Sequence, residues 1–170
     1  PLPRGFDEIN RFANSGAVVE AHAVLRKIRD EVPPELKRMM YNTAIKACAR
    51  AAQCDVATSY FEAMVREGVK PSCRTYQKLL HAAAWAGRPD LANRWYSALQ
   101  QRGCGGEHRN QESMLVACAN GQNSTGVQFW LAKLEGIALQ PTTITGLVGF
   151  AVKQGNNTLA QYWFERGLQD

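Results

Sequence analysis

Much is missing from this 170-residue chain, and each absence narrows what it does. No apolar run approaches the eighteen residues of a spanning helix, and no leader pattern is present, so no membrane span is expected and secretion has no support. There is no Gly-rich phosphate loop, no GxSxG, no HxE paired with CxxC, and no pair of aspartates spaced for a two-metal nuclease. The expectation is therefore a protein that is not an enzyme, with no catalytic residue, metal, cofactor or small-molecule substrate. The five cysteines, Cys48, Cys54, Cys73, Cys104 and Cys118, stand too far apart for a zinc knuckle or a redox pair. They read as free thiols in a reducing compartment, mostly small buried core residues. His22, His81 and His108 lack ligand-spaced partners and read as surface or half-buried histidines. The chain opens on Pro1 rather than Met, and reads as a processed or trimmed piece of a longer protein.

What is present is helical periodicity repeated along the chain. With 45% hydrophobic residues the chain can bury a core. In Tyr41 to Ser72, YNTAIKACARAAQCDVATSYFEAMVREGVKPS, Tyr41, Ile45 and Cys48 share one helical face. Ala57, Tyr60, Phe61 and Met64 share another, and Gly68 with Pro71 ends the unit. One hairpin cannot bury its own apolar face, so such a unit implies stacked copies. Copies appear at 2–37, 38–72, 73–107, 108–142 and, in part, 143–170, with a period of 35 or 36 and a slip of about two residues near Pro141. Their columns are a small or medium apolar one (Phe12, Cys48, Ala83, Cys118, Ala151), a nearly all-alanine one (Ala21, Ala57, Ala92, Val127, Ala160) and a bulky one (Leu25, Phe61, Tyr96, Leu131, Phe164). Small residues where helices approach, with large ones four positions on, are what close packing in an array needs. About ten helices and no sheet are expected, each helix ended by Gly, Asn or Pro. The fold class is all-α, a helical-hairpin repeat solenoid forming one domain over 1–170.

The Tyr-Asn-Thr opening at Tyr41, the Ala86-Gly87-Arg88 turn, the Gly-Val-Lys-Pro ending at Gly68 and the period of 35 resemble the pentatricopeptide repeat family. The resemblance implies a right-handed superhelix whose first helices line a groove for single-stranded RNA, and a mitochondrial or chloroplast location. It also implies how a base is read. The residue after the opening Tyr and the last residue of the repeat contact the base edge, while the residues at the second position of successive repeats sandwich its face. Carried onto this chain, Asn42 and Ser72 become edge readers with Met39 and Arg74 as the sandwich, a pair similar to those that prefer a pyrimidine. The next unit offers Gln77 and Glu107, flanked by Arg74 and Arg109, which is not a common family pair. The fourth offers Glu112 with Thr142 or Gln140, and the fifth Thr145.

Physical chemistry weighs on both sides of that reading. A base held between side chains gains about 1 to 3 kcal/mol of stacking. Lys46, Arg50 and Lys78 fall on first helices and suit a phosphate backbone, and the net charge of +5 with a pI near 9.1 leans the same way. Glu107 and Glu112 in the groove would oppose it. The leading expectation is an RNA-binding repeat protein of organellar RNA metabolism. The alternative is a helical scaffold docking protein subunits within a large organellar assembly, since concave repeat surfaces serve protein partners equally well.

Overall fold

The computed structural model describes residues 5–168 and holds ten helices and no strand among them. They are α1 (Phe6–Ser15), α2 (Val18–Ile28), α3 (Pro34–Arg50), α4 (Cys54–Arg66), α5 (Cys73–Trp85), α6 (Pro89–Gln101), α7 (His108–Asn120), α8 (Ser124–Lys133), α9 (Pro141–Lys153) and α10 (Asn157–Gly167). Residues up to Ala83 form one compact unit and those from Ala84 another. In the first, α1 packs on α2 and α3 on α4, and α3 lies against both α1 and α2. In the second, α7 pairs with α8 and α9 with α10, while α7 also meets α6 and α9. This is the all-α helical-hairpin repeat architecture expected from the periodicity, and the fifth hairpin carries both its helices.

The alanine column does what its size requires. Ala21, Ala57, Ala92, Val127 and Ala160 are all buried, which lets paired helices approach closely. The bulky column is less uniform than expected. Leu25 and Tyr96 are buried, Phe61 and Leu131 half-buried, and Phe164 exposed. The anchoring position lies one residue earlier, where Val24, Tyr60, Trp95, Trp130 and Trp163 are all buried. Tyr96 packs edge-on against Trp130 with centroids 5.3 Å apart.

Each hairpin turns through one residue with positive φ: Gly16 (73°), Ala52 (55°), Gly87 (63°), Gln122 (56°) and Gly155 (68°). Glycine suits this left-handed conformation because it has no Cβ, whereas alanine and glutamine are strained there. The expectation that Gly, Asn or Pro ends every helix is thus corrected at Ala52 and Gln122, which take the required geometry without the favoured residue. At Gly87 space matters as well, since a Cβ would sit 2.9 Å from the Asn120 carbonyl carbon. Asn120 Nδ2 in turn donates to the Ala84 carbonyl at 3.0 Å. Asn123 and Asn156 cap α8 and α10 by accepting from the Gly126 and Leu159 amides.

The register slip lies earlier than Pro141. Trp130 keeps the 35-residue spacing from Trp95, but Gly136 follows Gly103 by 33, and α8 has ten residues where α4 and α6 have thirteen. Two residues are therefore lost at the end of α8. The cysteines divide. Cys48, Cys54 and Cys118 are buried thiols outside any disulfide, and burial pushes the Cys48 thiol up to about 12, which makes it an inert core residue. Cys73 and Cys104 are disulfide-bonded, which corrects the expectation of free thiols throughout.

A candidate nucleic-acid interface on the first helices

In the first unit the opening tyrosine fixes the groove-facing helix from behind. Tyr41 is buried in α3 and hydrogen-bonds the Glu67 carboxylate at the end of α4. Arg29 pairs with the same carboxylate and Lys37 reaches it at 3.4 Å. Burial works against the Glu67 charge, but Tyr41, Arg29 and Lys37 outweigh it and hold the carboxyl below its usual range. Burial, with the same hydrogen bond, raises Tyr41 to about 12.

With α3 held this way, its other side opens on a cleft of about 550 Å³ bordered by α1, α3 and α5. Met39, Asn42, Lys46, Ser72, Arg74 and Lys78 all line it. These are six of the residues the sequence singles out, contributed by two helices and the connection before α5. Arg38 adds a fourth cation, against Glu35 as the acidic group on the wall. Burial and then the Lys46 and Arg74 charges lower the Lys78 pKa, as expected for cations crowded without a counter-ion of their own. Lys46 also donates to Asn14 Oδ1. His81 extends the cluster. The protein around its ring, followed by the Arg50 and Lys78 charges, lowers its pKa.

Asn42 is the most informative residue in the cleft. Its Oδ1 is buried and accepts no hydrogen bond. A buried, unsatisfied carbonyl oxygen costs about 1 to 3 kcal/mol, and a bound donor would recover it. Ser72, across the cleft, is half-buried, and its hydroxyl lies 3.3 Å from Thr75 Oγ1. An acceptor from Asn42, a hydroxyl from Ser72, a thioether from Met39 on the rim and four cations together suit a planar, polar, anionic ligand.

The remaining candidates stand elsewhere. Gln77 is half-buried on α5, and Glu107 is exposed at the N-cap of α7. Arg109 and Thr145 are exposed, and Thr145 bonds back to the Pro141 carbonyl at 2.9 Å. Arg50 is exposed at the end of α3. Glu112 departs from expectation: it is no groove carboxylate. It is buried, and its Oε2 accepts from the Gln140 amide at 2.8 Å and the Thr143 hydroxyl at 2.6 Å. The side chain caps the start of α9 from the preceding repeat. Once the lost residues are placed at the end of α8, Gln140 is the counterpart of Ser72, and it is this residue's amide that Glu112 holds. The sequence reading overlooked Asn10 and Thr43 in the cleft. The period could have found them, because Asn10 falls 36 residues before Lys46 and Thr43 falls 35 before Lys78. Among the described residues no cluster of His, Cys, Asp or Glu could hold a metal, and no helix is long and apolar enough to cross a membrane.

Most of the residues lining the cleft, from Met39 to Lys78, lie in the stretch that known families recognise, and Asn10, Glu35, Leu36 and Arg38 lie before it. A family model described as a PPR repeat matches residues 39–69, and one described as a pentatricopeptide repeat domain matches 59–105. Residues 39–105 carry pentatricopeptide repeats. Proteins with pentatricopeptide repeats generally bind RNA and generally act without catalysing a reaction, and many are organellar. Among curated proteins none matches this chain.

Proposed function

We propose that the protein binds single-stranded RNA through the cleft of its first unit, as a non-catalytic factor that occludes or positions RNA in a mitochondrion or chloroplast. The observation that carries this reading is Asn42, a buried oxygen without a partner at the wall of a cleft whose cations outnumber its one acid. The oxygen wants a donor such as the exocyclic amine of a base, and Lys46, Arg74, Lys78 and Arg38 want phosphates. Ser72 supplies the second edge contact, and Met39 with Arg74 flanks the base. Gln77, Glu107, Arg109 and Thr145 remain candidates for further contacts, whereas Glu112 is engaged in the fold.

Binding of a pool of short RNAs at two salt concentrations tests the reading. Affinity should fall steeply with salt, and Asn42→Ala with Arg50→Ala should weaken it. No binding tighter than about 100 µM in low salt would exclude it, because even non-specific nucleic-acid sites generally do better. In that event the alternative stands, a scaffold for protein subunits of a large organellar assembly, and the exposed apolar residues of α9 and α10 favour it.

A further inference from the structure

At the edge of the cleft stands a group whose charge is not fixed. On α5, Arg74, Lys78 and His81 follow one another at i, i+4 and i+7, a single stripe along one face of the helix. On α3, Lys46 and Arg50 stand at i and i+4. Arg74, Lys46 and Lys78 line the cleft, and the Arg50 and Lys78 charges both act on the His81 ring. His81 therefore continues the cationic wall beyond the cleft. It also falls 35 residues after Lys46, at the same position of the next repeat. On a strand that gives each repeat one nucleotide, the same position meets successive phosphates, so the phosphate after the one at Lys46 reaches His81.

We propose, on the RNA reading of the cleft, that His81 binds that next phosphate as an imidazolium, so that each strand bound draws a proton from solution. In the free protein the ring is mostly neutral at pH 7, because the protein around it and then the Arg50 and Lys78 charges hold its pKa below the ordinary 6.5. A phosphate among these cations reverses the balance, since its negative charge offsets Arg50 and Lys78 and favours the charged ring. The charges that face His81 in this unit are Arg50 from α3, with Lys46 one turn before it, and Lys78 on its own helix, with Arg74 beyond. The second helix α4 meets α5 from another side, through Phe61 and Tyr76 with centroids 5.4 Å apart, and Tyr76 lies about 140° around the helix from His81. Glu35, the acid on the cleft wall, stands about 22 Å along α3 from Arg50 and is too far to take the phosphate's place.

Anisotropy titrations of a pool of short RNAs at pH 6 and pH 8, at constant ionic strength, test the proposal. The parent's affinity should rise about tenfold from pH 8 to pH 6. His81→Gln should bind like the parent at pH 8 and lose the gain at pH 6. His81→Lys, which restores the residue of the preceding repeat, should bind at pH 8 about as tightly as the parent at pH 6, with little dependence on pH. His22→Gln, on α2, should keep the parent's profile. Calorimetric titration in two buffers of unlike ionisation enthalpy should show proton uptake on binding by the parent and none by His81→Gln. His81 is exposed, so circular dichroism should report unchanged helix content in its variants. Equal affinity of the parent at both pH values would overturn the proposal and leave the RNA reading standing, as would a pH dependence that survives in His81→Gln. No binding at either pH would overturn the RNA reading, and the proposal with it.

Discussion

Asn42 and Glu112 occupy the same position of two different repeats, one in each unit, and their surroundings in the structure are opposite. Asn42 Oδ1 is left without a partner beside a cleft with four cations. Glu112 is turned inward, where it accepts hydrogen bonds from the Gln140 amide at the end of its own repeat and the Thr143 hydroxyl of the next. The surroundings differ to match. Residues 1–83 hold thirteen Lys or Arg against nine Asp or Glu, and residues 84–170 hold seven against six. Where the first unit has Lys46 and His81 along the first helices, the second has Val116 and Gly149 in the same column. A repeat therefore preserves a backbone position without preserving its use. In the second unit the position serves the fold, and in the first it leaves an acceptor that the proposed RNA ligand would use.

The sharpest way to break this comparison is to truncate both residues. Glu112→Ala should cost about 1 to 3 kcal/mol in urea denaturation, because the Gln140 amide and Thr143 hydroxyl lose their acceptor inside the protein. Asn42→Ala should be neutral or slightly stabilising, since it removes an oxygen that nothing satisfies. Equal costs would mean that the two positions are alike after all.

A second contrast concerns charge. Lys46→Ala with Lys78→Ala should weaken RNA binding about tenfold and flatten the salt dependence by roughly 1.4, from about 0.7 per single-strand phosphate contact. Arg109→Ala with Lys153→Ala, in the other unit, should leave both nearly unchanged. Anisotropy titrations at several salt concentrations measure each.

A third lies in acid. The Glu67 carboxyl is held below its ordinary range by Tyr41, Arg29 and Lys37. Its folded pKa is thus below the unfolded one, so its stabilisation is present above the unfolded value and is lost as pH falls through the folded one. Stability measured between neutral pH and pH 3 should drop less in Glu67→Gln than in the parent. No counterpart is expected in the second unit, where Arg102 occupies the column of Glu67.

Most of the fold was legible in the sequence because packing writes it in spacing. Alanine recurring at positions 21, 57, 92 and 160 could only be a helix contact, and it is. Six of the residues named as candidates from the sequence do meet in one cleft. The environments of the candidates were not legible. Whether Glu112 faces water or the Gln140 amide depends on where α8 loses two residues, and apolar periodicity blurs at a shortened helix end. The disulfide state of Cys73 and Cys104 was equally hidden, because scattered spacing says nothing about distance in space. Ala52 and Gln122 were missed as turn residues because neither favours positive φ. Replacing each by glycine gives the smallest predicted effect. Relief of left-handed strain exceeds the added chain entropy, so thermal stability should rise by a few tenths to about 1 kcal/mol.

The central claim is one of location: RNA lies along the first helices of the first unit. Photo-crosslinking a 4-thiouridine-substituted oligonucleotide and mapping the modified peptides by mass spectrometry tests it most directly. Adducts should fall on the peptides carrying Met39 to Lys46 and Ser72 to Lys78, and Lys46→Ala with Lys78→Ala should deplete them. Adducts confined to the second helices, or to the segment around Glu112, would contradict the account.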